Sequence, residues 1–151
     1  MVVVDVANVM GARADGWWRD RAGAAARLCG EVIALAQRGD DTAGAWVLVL
    51  EGRARGAVAL LENETSLEED TAPPGDWVPP AADETPTAGG TSPVRLVSAP
   101  GSGDDAVVGA VAETVARDES CLVVTADREL RQRCEDLNAS VVGPGWLLRL
   151  L

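Results

Sequence analysis

Apolar residues in this chain gather into short runs, separated by segments in which they recur at helical spacing. Val2-Val3-Val4, Trp46-Val47-Leu48-Val49-Leu50, Val94-Arg95-Leu96-Val97 and Leu122-Val123-Val124 have the Val/Leu-rich, nearly continuous character of strands buried on both faces. Residues 2–9 predict a first strand and the turn that follows it. Residues 21–38 predict an amphipathic helix, with Ala24, Ala25, Leu28, Val32 and Leu35 on one face, Asp20 before it as a cap and Gly39 after it as a stop. Ala54–Leu61 is expected to be a short helix or part of a third element. Strands are then expected at Val94–Val97, Cys121–Thr125 and Ala139–Val142. Helices are expected from Asp104 or Asp105 to about Arg117 and over Arg128–Leu137. Gly143-Pro144-Gly145 turns into the apolar tail Trp146–Leu151. This order predicts an α/β sandwich around a mainly parallel sheet.

One stretch breaks the pattern. Residues 62–93 hold six prolines, eight acids and no arginine, too little apolar surface to offset the entropy of ordering them. They are expected to form a long, partly disordered loop inserted within a single domain spanning residues 1–151, with Trp77, their one aromatic residue, docking on the body. The acidity of this stretch invites two hypotheses: a strap that restricts the cleft, or a handle for a basic protein partner.

Composition narrows the chemistry. The chain carries a net charge of −11, no histidine, and arginine at all thirteen basic positions. Outside residues 62–93, sixteen acids face the thirteen arginines, so most of the imbalance belongs to one segment. Without histidine there is no Ser-His or Cys-His nucleophile and no His-ligated zinc. Cys29, Cys121 and Cys134 are odd in number and scattered, which predicts reduced thiols and a cytoplasmic protein. No charged leader with a cleavage site is read at the N-terminus, and no apolar run is long enough for a membrane span.

Each of the four runs leads into acid: Asp5, Glu51, Asp104-Asp105 after the turn Gly101-Ser102-Gly103, and Asp127. In open α/β sheets, ligands bind beyond the carboxyl ends of the strands. Acids delivered there converge and repel unless a cation neutralises them, and Mg²⁺ favours carboxylate oxygens. Each motif also has a plainer reading. Asp5 and Asn8 would form a local turn, Asp104 or Asp105 would cap a helix, Asp127 would do the same with Thr125 beside it, and Glu51 would be a surface acid.

Taken in order, D-x-x-N-V-x-G, strand-E-G-R, G-x-G-D-D, V-V-T-A-D-R-E-L and A-S-V-V-G-P resemble the NYN domain family of PIN-like ribonucleases over the whole chain except residues 62–93. The resemblance implies a three-layer αβα sandwich of PIN-like, Rossmann-like form and a Mg²⁺- or Mn²⁺-dependent nuclease that cuts RNA to leave a 5′-phosphate and a 3′-hydroxyl. It implies Asp5, Asp104 and Asp127 as metal-binding acids and Asp105 as a further catalytic acid, with Asn8 and Thr125 as polar companions that contact substrate. Glu51 falls where some relatives carry an additional acid. Arg13 and Arg128 are candidate substrate contacts, and Trp17 and Trp18 are weighed as base-stacking or packing residues. A haloacid-dehalogenase-like phosphatase would need a second acid at position 7, which is alanine. A nucleotide pyrophosphohydrolase and a catalytically silent RNA- or protein-binding module are the remaining alternatives.

Overall fold

The computed structural model describes residues 1–38, 44–67 and 93–151. Five strands, β1 (Val2–Asp5), β2 (Trp46–Leu50), β3 (Val94–Ser98), β4 (Leu122–Val124) and β5 (Ser140–Val142), form one sheet in the order β3-β2-β1-β4-β5. All four pairings are parallel. The helices are α1 (Val6–Gly11), α2 (Arg21–Gln37), α3 (Ala57–Leu67), α4 (Gly103–Val115), α5 (Arg128–Glu135) and α6 (Pro144–Leu148), with a 3₁₀ turn at Gly52–Gly56. The predicted α/β sandwich is the observed one.

Strand alternation builds the two outer layers. Successive side chains in a strand point to opposite faces. Val2 and Val4 of β1, with Trp46, Leu48 and Leu50 of β2, therefore join a core with Leu28 and Val32 of α2. Val3, Val47 and Val49 join the opposite core with Val107 and Val111 of α4 and Leu130 and Cys134 of α5. The buried residues of α2 and α4 recur at the three- and four-residue spacing of one helical face. Asp20 caps α2 as expected, its carboxylate accepting from the Gly23 amide at 2.9 Å.

Four local readings change. The residues after Asp5 form the helix α1 instead of a turn, because Asp5 itself serves as N-cap. Helix α3 runs to Leu67, so the first residues of the expected insertion are helical. Residues 68–92, including Trp77, lie outside the described residues, as does Gly39. Helix α4 starts at Gly103, one residue before the expected acids. The C-terminal tail forms α6, with Pro144 in its first turn, where proline's missing N–H costs nothing.

Strand order fixes where a ligand belongs. Chain connections run outward from β1 in one direction through β2 to β3, and in the other through β4 to β5. The reversal lies between β1 and β4, and a crevice opens at such a switch point beyond the strand ends. Asp5 ends β1, and Thr125-Ala126-Asp127 follows β4.

Candidate functional site

Asp5 is the organising residue. It is buried, 7% exposed, and both carboxylate oxygens are engaged. Oδ1 accepts from the Asn8 backbone amide at 3.1 Å, and Oδ2 accepts from Asn8 Nδ2 at 2.8 Å and from the Thr125 hydroxyl at 3.0 Å. Burial raises its pKa most; these hydrogen bonds pull it back down, and the charge of Glu51 raises it again. Asn8 Oδ1 in turn accepts from the Ala126 amide at 3.3 Å. Thr125 Oγ1, while donating to Asp5, accepts from the Asp127 amide at 3.1 Å. Asp5, Asn8, Thr125 and Asp127 thus form a single hydrogen-bonded bridge across the switch point.

The remaining acids reach the same rim from three other directions. Asp127 caps α5, with Oδ1 accepting from the Glu129 and Leu130 amides at 2.8 and 2.9 Å. Glu51, half-buried at the end of β2, accepts the Gly103 amide on Oε2 at 2.8 Å and ties that strand to the start of α4. A Cβ at Gly103 would stand 2.5 Å from the same oxygen, so only glycine permits this approach. Asp104 follows on the first turn of α4, half-buried and without a hydrogen-bond partner among the described residues. Burial raises its pKa, as do the charges of Asp127, Asp5 and Glu51 in that order, while Arg133 lowers it. Asp104 therefore lies within electrostatic range of three other acids. Among the described residues, no three acidic, cysteine or histidine side chains close into a group that could hold a metal ion.

The plainer readings hold for Asp5 and Asp127 and fail for the other acids. Asp5 and Asp127 do act as caps, each through Oδ1. Asp104 and Asp105 do not cap α4: its N-cap residue is Ser102, whose side chain makes no capping bond, and Glu51 holds the Gly103 amide. Glu51 is a tether between β2 and α4, not a loose surface acid.

Several expected site residues stand elsewhere or do other work. Thr125 is fully buried, so it is a bridge between acids and not a substrate contact. Asp105 is exposed and bonds Arg133 Nη2 at 2.7 Å, outside the set of acids that act on Asp104. Arg13 is ion-paired with Glu31 of α2. Arg128 is exposed and holds no ion pair among the described residues. Asn8 lines a hollow of about 430 Å³ with Ala7, Gly11, Ala12 and Ala126. Trp17 packs against the α2-side core, while Trp18 is 60% exposed. The charge of Arg133, on α5, acts on Asp104 and lowers its pKa.

Fold and site together define an α/β protein with a five-stranded parallel sheet and an acidic rim at its switch point. No protein-family model matches the chain, and no curated protein and no solved structure matches it.

Proposed function

We propose that the chain is a metal-dependent ribonuclease, with Asp5, Asp104 and Asp127 as the acids that hold Mg²⁺ or Mn²⁺ and Glu51 beside them. The observation that carries this reading is Asp104: its carboxylate has no hydrogen-bond partner among the described residues, and burial first, then three further acids from separate strand ends, raise its pKa. Mg²⁺ is commonly held by only one or two carboxylates and keeps several waters, so this donor set suits it without a closed cage of protein ligands. When bound, such a cation supplies a water of lowered pKa and stabilises charge on the transferring phosphoryl group.

The chain's own residues set the stage for that chemistry. The Asn8–Thr125 bridge orients the Asp5 carboxylate and prevents it from turning away. Glu51 fixes the start of α4, and with it the position of Asp104. With no histidine anywhere, proton transfer falls to carboxylates and solvent.

Cleavage of single-stranded RNA in the presence of Mn²⁺, by the native sequence beside Asp104→Asn, tests the proposal. Metal-dependent cleavage that falls at least 100-fold in the variant is expected, the scale on which one transition-state electrostatic contact acts. Phosphate release from nucleotides with intact RNA would favour the phosphohydrolase instead. One observation favours a second reading: no three-ligand metal group closes among the described residues. A catalytically silent RNA-binding module would retain the crevice and bind RNA without turnover.

A further inference from the structure

A second hollow, of about 240 Å³, adjoins the acidic rim. It lies between the segment after α1 and the 3₁₀ turn after β2, and is lined by Ala7, Met10, Trp17, Arg21, Glu51 and Arg53, among others. It shares Glu51 with the acid cluster, so whatever fills it lies next to Asp5 and Asp104. The Arg21 guanidinium stands 5.2 Å from the centroid of the Trp17 ring. The Trp18 ring meets Trp17 edge-on, with centroids 6.3 Å apart and planes at 84°. Gly52, at φ +51, makes the sharp exit from β2 that swings Arg53 to the mouth of the hollow.

Charge and shape select the occupant. Arg21 and Arg53 hold no ion pair among the described residues, while Arg13 and Arg133 are both paired with acids. Arg21, stacked over Trp17, and Arg53 line the same hollow, so two positive charges unpaired among the described residues face it and suit an anion. The wall between them is a flat aromatic ring with a guanidinium over it, a surface on which a base stacks. The hollow is smaller than the roughly 300–1,000 Å³ of sites for drug-sized ligands, which suits one planar ring.

We infer that this hollow is a nucleotide subsite, in which one unpaired base stacks on the Trp17–Arg21 wall and Arg53 contacts the phosphate of the strand leading to the acidic rim. The inference rests on the ribonuclease reading of that rim and adds to it a preference for single-stranded substrate. A helical duplex keeps its bases stacked on each other and has none to offer.

Binding of labelled hexauridylate to the full chain, followed by fluorescence anisotropy in EDTA, tests the subsite apart from catalysis. Trp17→Leu is expected to weaken binding roughly 5- to 100-fold, as loss of a base-stacking aromatic does. Arg53→Ala, at an exposed position where folding is not at stake, is expected to reduce the slope of log affinity against log salt by about 0.7. Arg117→Ala removes the same charge at the opposite ends of the strands and should change neither. Equal binding by the native sequence and Arg53→Ala, or an equal loss in Arg117→Ala, overturns the inference, and so does displacement by hexaglutamate as readily as by RNA. Competition by ribose 5-phosphate as strong as by uridine 5′-monophosphate overturns the stacking. Binding in EDTA that depends on Trp17 and Arg53, in a protein that cleaves nothing, keeps the subsite and removes the nuclease. Cleavage with binding indifferent to both residues does the reverse.

Discussion

Asp104 carries an electrostatic cost that no hydrogen bond among the described residues relieves. Its pKa lies above the usual 3.8, first through burial and then through three neighbouring acids. An acid raised in the folded state binds its proton more tightly there than in the unfolded chain. Folding is therefore favoured below pH 3.8 and loses that advantage as pH rises through the folded pKa. At neutral pH the ionised group is destabilising, so Asp104→Asn should make the metal-free protein more stable while removing activity. Because Asp104 is only half-buried, solvent screens the repulsion and the gain stays under about 1 kcal/mol, or roughly 2–4 °C in a melting curve. A lower melting temperature for the variant at pH 7 would contradict this electrostatic picture. The identities of Asp5, Asp104 and Asp127 were legible in the sequence because each follows an apolar run. What each oxygen does was not, since Thr125 and Asp5 meet across 120 positions of chain.

At the scale of elements, the same side chains both build helices and form the rim. Asp127 is the N-cap of α5, and a cap is worth about 0.5–2 kcal/mol. Asp127→Ala should lose roughly that stability together with metal binding. Asp127→Asn keeps a capping oxygen and should retain stability within a few tenths of a kcal/mol while still losing metal binding. Chemical denaturation of the two variants separates the roles; equal destabilisation would show that the charge, not the cap, holds α5. Strands and long helices were readable from periodicity because burial on one face or two leaves a repeating mark. The helix α1 was not, because its few residues, Val6–Gly11, follow directly from β1 and hold too little pattern to separate a helix from a turn. Helix α3 extends into a stretch whose composition suggested a loop, which shows that average composition sets no element boundary.

For the whole molecule, the parallel sheet governs both stability and site. All three cysteines are buried within its two cores and unpaired. Burial pushes the Cys29 thiol up to about 12 and the Cys134 thiol up to about 11. The folded chain keeps these protons, whereas the unfolded chain releases them near pH 9. Their contribution to stability is complete below pH 9 and is lost as pH rises through 11 to 12. At pH 8 the native protein should be nearly inert to a thiol-reactive disulfide and expose three reactive groups on denaturation. Fast native labelling of any one thiol would show that its core opens. Among the described residues no helix is long and apolar enough to cross a membrane. The order of the strands, which no local pattern encodes, is what brings Asp5 and Asp127 to the switch point.

If the carboxylates around Asp104 share a divalent cation, calorimetric titration of Mn²⁺ into the metal-free protein at pH 7 detects it without requiring turnover. Saturable binding of one or two ions per chain is predicted, with affinity at least tenfold weaker in Asp104→Asn. Absence of binding at millimolar Mn²⁺, or binding that Asp104→Asn leaves intact, would contradict the account.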